Sequence, residues 1–185
     1  MQALRTVLPL ALLLPSAAVL GPSGCSRPVD AVTKSEIEKL LRDLVEASNE
    51  MDLDRYVAAF DPACPVTIES CGKTKRTTIG EYRKSLEEAM GVMKENRVVL
   101  GKVEIRPGGR GYLVRAEARE RTVQILGRVF EGESTNDFEI ERRDGSYRVV
   151  AYTSRLTITK FKDPLIGEVD PRTTPILDWT DPEAR

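Results

Sequence analysis

The sequence predicts an α+β domain in which N-terminal helices pack on a curved antiparallel sheet. In the stretch 112–158 apolar and charged residues alternate with a period of two, which is typical of strands with one buried face. The dipeptide Asp144-Gly145 interrupts this stretch and is a strong hairpin signal, because glycine tolerates the positive φ of such turns. Upstream, apolar residues recur at helical spacing, so these helices need a sheet to pack on.

Three helices are predicted before the main sheet. Thr33 and Glu36 form the pattern of a capping box at the start of the first helix, whose apolar residues continue to residue 51. Asp52 is expected to cap a short second helix. Thr78 and Glu81 predict a second capping box, and the third helix follows it.

The strands are predicted from alternation and turn residues. A short strand at 66–69 precedes a basic loop at 72–76, and a longer strand at 97–106 leads into the main sheet. In the strand that begins at Tyr112, the apolar residues occupy even positions at first and odd positions from Val123 onwards. This change predicts a β-bulge within that strand. The last strand is apolar on both faces near its middle, so we expect it at the centre of the sheet.

Composition excludes several classes of function. The chain has 28 Lys+Arg against 29 Asp+Glu, a net charge of −1, which argues against a nucleic-acid partner. It contains no histidine, which excludes histidine-based acid–base chemistry, Ser-His-Asp and Cys-His nucleophiles and imidazole metal sites. We therefore expect neither a metal nor a cofactor.

Residues 1–24 have the pattern of a signal peptide, with one positive charge before an apolar run. The segment ending at Cys25 resembles a bacterial lipoprotein signal, in which that cysteine becomes the lipidated N-terminus and anchors the protein to a membrane. Such signals prefer leucine where this chain has Pro22. The alternative is ordinary cleavage, for example after Ala18 or Gly21. Both readings predict export to the periplasm or cell envelope, and the lipid anchor predicts an outer-membrane lipoprotein.

Export bears on two further cysteines. In an oxidising compartment we predict a disulfide between Cys64 and Cys71. A straight strand between them would separate their ends by over about 20 Å, whereas bridged Cα atoms lie within about 7 Å. The segment must therefore curl back, or the thiols stay free.

The domain boundaries follow from these patterns. We predict a signal peptide at 1–24, a spacer at 25–34, a folded domain at 35–161 and an extended C-terminal tail at 162–185. The tail is proline-rich and aperiodic, and Ile176, Leu177 and Trp179 are its expected anchors on its own domain or on another subunit.

The order of these elements resembles the nuclear transport factor 2-like superfamily, also called SnoaL-like or ketosteroid isomerase-like. The resemblance is carried by Asp52-Leu53-Asp54 after the first helix and by the segments 56–60, 66–69, 79–82 and 144–149. It implies a cone-shaped pocket between sheet and helices, and commonly a homodimer through the outer face of the sheet. It does not imply a reaction, because one fold hosts many functions.

Two catalytic positions of the isomerase-like members differ here. Those proteins use a tyrosine on the first helix and an aspartate at the end of the short strand, and the corresponding positions hold Leu44 and Ser70. These departures argue against steroid isomerase chemistry. Relatives that depend on a pocket histidine are excluded.

A ligand site is nevertheless predicted. We expect Tyr56 and Tyr82 to reach from the helices towards a cluster that binds a small polar or anionic ligand, and the cluster comprises Ser134, Asn136, Thr153 and Arg155. The alternative is that Ser134 and Asn136 lie in water at a strand end, that Arg155 pairs with Glu139 or Glu141 on the surface, and that the tyrosines are core residues.

The leading functional prediction is a non-catalytic exported domain that binds a small ligand or an envelope protein. The alternative is a histidine-free lyase, isomerase or hydrolase that uses Glu69 with Tyr56 or Tyr82 as an acid–base pair. That alternative requires burial to raise the pKa of Glu69. A third possibility is a structural subunit that acts through its C-terminal tail.

Overall fold

The computed structural model describes residues 28–169. The predicted signal peptide, Cys25 and the expected tail anchors Ile176, Leu177 and Trp179 lie outside these residues. The α+β class is confirmed, with three helices and seven strands: α1 (Ala31–Asn49), α2 (Leu53–Ala58), β1 (Pro65–Ser70), β2 (Lys73–Thr78), α3 (Ile79–Gly91), β3 (Met93–Gly108), β4 (Gly111–Gln124), β5 (Val129–Arg143), β6 (Ser146–Asp163) and β7 (Gly167–Val169). Within the described part of the chain, no helix is long and apolar enough to cross a membrane.

All the strands belong to one sheet in the order β2-β1-β6-β5-β4-β3, and β7 pairs with the end of β6. Every pairing is antiparallel except that of β1 with β6. Strand β6 lies between β1 and β5, which confirms its predicted central position. The hairpin at Asp144-Gly145 is also confirmed, since both residues have positive φ and Arg143 pairs with Ser146.

The sequence predicted a bulge in β4, but the bulges that bend the sheet lie in other strands. The pairing of β4 with β5 runs without a register shift from Tyr112 to Val123, so the predicted bulge within β4 is wrong. The register shifts lie at two places on β3, between Met93 and Glu95 and between Leu100 and Val103, and at two places in the pairing of β5 with β6. Bulges bend and twist a sheet.

The predicted basic loop at 72–76 is an edge strand instead. Cys71 and Gly72 both have positive φ and form a tight turn that folds β2 back on β1. Lysine, arginine and threonine on β2 suit an edge that faces water. Cys64 and Cys71 stand at opposite ends of the straight strand β1 and both are free, so the predicted disulfide is absent.

The first helix begins earlier than predicted. Asp30 is the N-cap of α1, and its Oδ1 accepts a hydrogen bond from the backbone N of Thr33 at 2.9 Å. The predicted box of Thr33 with Glu36 is therefore wrong, and Thr33 is buried instead. The caps at Asp52 and at Thr78 with Glu81 are confirmed.

One hydrophobic core joins the helices to the inner face of the sheet. Its buried residues come from α1, the segment after α2 and the central strands, and include Ile37, Leu41, Phe60, Val66, Val114, Ile140 and Val149. Burying each such side chain stabilises the fold by about 1.5–3 kcal/mol. This core occupies only part of the concave face, and the remainder is open.

Candidate functional site

A cavity of about 400 Å³ lies between the concave face of the sheet and helices α1 and α3. This volume falls within the range of about 300–1,000 Å³ that is usual for small-molecule sites. Most of the wall is apolar, with contributions from Leu41, Leu44, Leu86, Met90, Phe138 and Leu156. Polar groups are few, so each of them has a strong influence on what the cavity can hold.

Four of the polar residues form a hydrogen-bonded chain. The hydroxyl of Tyr152 donates to Oδ1 of Asn136 at 2.8 Å, and Nδ2 of Asn136 donates to Oγ of Ser134 at 2.9 Å. Ser134 in turn donates to Oε1 of Glu120 at 2.5 Å. Every donor in the chain points the same way, so the chain ends at the carboxyl group of Glu120.

Glu120 is held in the wall by the uninterrupted register of β4. Because β4 has no bulge against β5, Glu120 lies on the same face of the strand as Ala116 and Ala118, which also line the cavity. Burial raises the pKa of Glu120, and the hydrogen bond from Ser134 only partly opposes this effect. No Lys or Arg within residues 28–169 pairs with this carboxyl group.

Three tyrosines face the same space from different elements: Tyr56 on α2, Tyr82 on α3 and Tyr152 on β6. Burial raises the pKa of Tyr152 to about 12, and burial also raises the pKa of Tyr56 and of Tyr82 well above the usual 10.0. The charge of Glu120 further raises the pKa of Tyr82 and Tyr152. All three phenols therefore remain protonated near neutral pH and act as hydrogen-bond donors.

The structure divides the predicted ligand cluster between the two faces of the sheet. Asn136 and both predicted tyrosines line the cavity, and Ser134 is buried beside it, hydrogen-bonded to Asn136 and Glu120. Thr153 and Arg155 do not line it, and Arg155 forms ion pairs with Asp137 and Glu69 on the opposite face.

A bulge explains this division. Ala151 pairs with Glu139 and Val149 with Ile140, so one residue of β6, Val150, has no partner on β5. The extra residue moves the buried parity from odd positions to even ones, and the buried residues beyond it are Tyr152 and Ser154. The sequence alternation alone placed Thr153 and Arg155 with the wrong neighbours.

Glu69, the carboxylate of the predicted acid–base pair, also faces away from the cavity. Its neighbours Ile68 and Ser70 line the cavity, so strand alternation directs Glu69 outward, where its Oε2 lies 3.0 Å from Nε of Arg155. Glu120 rather than Glu69 contributes its carboxyl group to the cavity wall. Glu120 occupies an even position like Val114, Ala116 and Ala118, which was the signal in the sequence, but the bulge expected in β4 concealed it.

The two positions inferred from the isomerase-like proteins do lie in the cavity wall. They are Leu44 and Ser70, so neither supplies an acid or a base. No group of three or more Cys, Asp and Glu side chains among the described residues could hold a metal ion.

Comparison with known proteins places the fold. No family model and no curated protein matches the sequence. A solved structure assigned as an aromatic ring hydroxylase from Novosphingobium aromaticivorans is 17% identical, with a TM-score of 0.64 over 71% of this chain and 96% of that one. A protein assigned as a dehydratase from the nuclear transport factor 2-like family of Streptomyces avermitilis is 12% identical, with a TM-score of 0.59 over 69% and 99%.

A hexachlorocyclohexane dehydrochlorinase from Novosphingobium barchaimii is similar at 13% identity, with a TM-score of 0.59 over 69% of this chain and 89% of that one. Identities this low show a shared fold and nothing further. The fold is nuclear transport factor 2-like, as the order of elements predicted.

Proposed function

We propose that this nuclear transport factor 2-like domain binds a small, mainly apolar molecule in its cavity and transfers a proton to or from it, as a lyase or isomerase does. The observation that carries the proposal is the carboxyl group of Glu120, which lies in an apolar wall without a cationic partner among the described residues. A glutamate whose pKa rises towards neutrality is a more effective general acid or base at physiological pH.

The hydrogen bonds around Glu120 leave one of its oxygens for a substrate. Ser134 donates to Oε1, whereas Oε2 accepts no hydrogen bond from residues 28–169. Oε2 is therefore the oxygen that would take a proton from a bound molecule. The chain from Tyr152 through Asn136 and Ser134 fixes the carboxyl group in one orientation, which a general base needs.

A proton removed from carbon leaves negative charge on the substrate, and that charge needs a donor. Tyr82 is placed for this role, since its pKa responds to the charge of Glu120 and its proton is retained. In a cavity with a mainly apolar wall, a phenol donor stabilises a developing oxyanion more strongly than in bulk solvent. Two proteins with this fold are named as a dehydratase and a dehydrochlorinase, and eliminations of that kind also begin with proton removal.

The test is proton exchange in deuterated buffer. Small cyclic ketones such as cyclohexanone would be incubated with the protein, and loss of their α-protons followed by NMR. We expect exchange to be catalysed by the wild type and slowed by about 100-fold or more in Glu120→Gln. Glu117→Gln changes an exposed carboxylate on the outer face of the same strand and is the matched control. Equal exchange with the wild type and Glu120→Gln would contradict the proposal.

A second candidate is ligand binding without turnover. It is favoured by the structural role of Glu120, which terminates a hydrogen-bonded chain whether or not chemistry follows. In that case a ligand would raise the melting temperature of the wild type and of Glu120→Gln alike, and no ketone would exchange its protons with either.

The location of the domain stays a proposal that rests on the sequence of residues 1–25. We propose export with a lipid anchor at Cys25, in which case Cys25→Ser abolishes incorporation of labelled palmitate and releases the protein from the membrane fraction. A homodimer or an envelope protein partner likewise remains to be tested, by the mass of the purified protein in solution.

A further inference from the structure

Among the described residues that line the cavity, Lys75 on β2 is the one with a positive charge. Its Nζ lies 3.2 Å from Oγ of Ser85 on α3. Within residues 28–169 no carboxylate forms an ion pair with it, and Glu81 on the same helix accepts hydrogen bonds from Thr77 and Thr78 instead.

The register of the sheet sets the direction of Lys75. Its partner on β1 is Ile68, whose row continues through Ser154 on β6 and Asn136 on β5 to Ala116 on β4. All five residues of this transverse row line the cavity. Lys75 therefore lies on the concave side because its whole row does, and Arg76, the next residue, belongs to the opposite face.

The Ser85 hydroxyl lies beside the ammonium group of Lys75. Ser70 and Thr77 also line the cavity, whose wall is mainly apolar. A cation without a carboxylate partner, next to an apolar chamber, is suited to bind an anion joined to an apolar body.

The anion would lie in a different row of the sheet from Glu120. Ala116, in the row of Lys75, is four residues before Glu120 on β4, which corresponds to about 13 Å along the strand. Lys75 and Glu120 also lie on different strands, with β1, β6 and β5 between β2 and β4 in the sheet. A molecule that reaches both residues is therefore elongated.

We propose that Lys75 binds the carboxylate of an elongated apolar acid whose hydrocarbon body fills the cavity and extends towards Glu120. The proposal deepens the function proposed above and rests on it for the role of the cavity. It assigns the ligand to the class of medium-chain monocarboxylic acids, and Lys75 to the recognition of its head group.

The assignment is tested by calorimetric titration of the full chain with decanoate and with decanol. Decanoate is kept below its critical micelle concentration and decanol below its solubility limit. The wild type is expected to bind decanoate about 10-fold more tightly than decanol, because a hydrogen-bonded ion pair favours the acid. Lys75→Met should lose this preference while its affinity for decanol is unchanged. Arg76→Met makes the same change of charge on the same strand and should bind both compounds as the wild type does.

Unchanged decanoate binding by Lys75→Met, or an equal loss in Arg76→Met, would overturn the assignment. Binding of neither compound by the wild type would overturn the ligand class. The titration measures binding alone, so its result is independent of proton transfer. Ketone exchange that depends on Glu120, together with decanoate binding that does not depend on Lys75, would remove this inference and retain the proposed function.

Discussion

At the scale of the residue, the chemistry of the cavity depends on how one carboxyl group is solvated. Transfer of a carboxylate into an apolar wall costs more than a single neutral hydrogen bond returns. The balance at Glu120 follows this rule, since burial raises its pKa although Ser134 donates to it. A carboxyl group whose pKa is raised in this way keeps its proton to a higher pH than an exposed glutamate does, which favours its use as an acid or a base.

The two described cysteines give a prediction at the same scale. Burial raises the pKa of Cys64 to about 12, whereas Cys71 is exposed in the turn before β2. We expect iodoacetamide at pH 8 to alkylate Cys71 at least about 100-fold faster than Cys64, because the thiolate is the reactive form. Peptide mapping by mass spectrometry locates each label, including that on Cys25.

Denaturation should abolish the difference between the two thiols, and Cys71→Ser should leave Cys64 protected in the folded protein. Resistance of both thiols to alkylation, lost only after reduction, would show a disulfide and contradict the structure.

At the scale of the element, the structure and the sequence pattern assign the cap of α1 to different residues. The side chain of Asp30 accepts the hydrogen bond from the first turn, whereas Glu36 belongs to the box that the sequence suggested. Asp30→Ala is expected to lower the free energy of unfolding by about 1 kcal/mol, as loss of an N-cap does.

Glu36→Ala is the matched control for the cap and should change stability by less than about 0.5 kcal/mol, since it is a surface substitution without a capping role. Urea denaturation of the two variants measures both effects. A larger loss in Glu36→Ala than in Asp30→Ala would restore the capping box.

The helices, the Asp144-Gly145 hairpin and the central position of β6 were accessible from the sequence, whereas the faces of the strands were accessible only in part. The Asp144-Gly145 turn and the caps at Asp52 and Thr78 depend on neighbouring residues, so local patterns were sufficient. The position of a bulge depends on the partner strand, which a single sequence does not show. The unpaired residue Val150 therefore displaced Thr153 and Arg155 from their predicted face.

The candidate site was limited by the same cause. Asn136, Tyr56 and Tyr82 were correctly expected at the cavity because each lies in an element with unbroken periodicity. Glu120 was missed because a bulge was assigned to β4, which has none against β5. Edge strand β2, and with it Lys75, was missed because its alternating threonines and cations also suit a loop.

At the scale of the whole molecule, the sheet separates two chemical environments. On the outer face an ion-pair ladder crosses four strands, from Glu69 through Arg155 and Asp137 to Arg115. Such exposed pairs contribute little to stability individually. On the inner face few charges occur, and this contrast makes Glu120 and Lys75 conspicuous.

The cavity persists because the residues under the helices are small. Ala116, Ala118, Gly132 and Ser154 occupy the middle of the concave face, where larger side chains would fill the space between the sheet and α3. Bulges in β3 and β6 bend the sheet around this gap. Shape and small side chains together therefore leave a chamber, and Glu120 stands in its wall.

The central claim is that this chamber holds a carboxyl group whose proton affinity is increased by burial. The direct measurement is an NMR titration of the folded protein with ¹³C-labelled glutamate carboxyls, in which the spectrum of Glu120→Gln identifies the resonance of Glu120. The structure predicts a titration midpoint clearly above the ordinary value of 4.5. A midpoint at or below 4.5 would show that water or a cation reaches the carboxyl group, and would contradict the account.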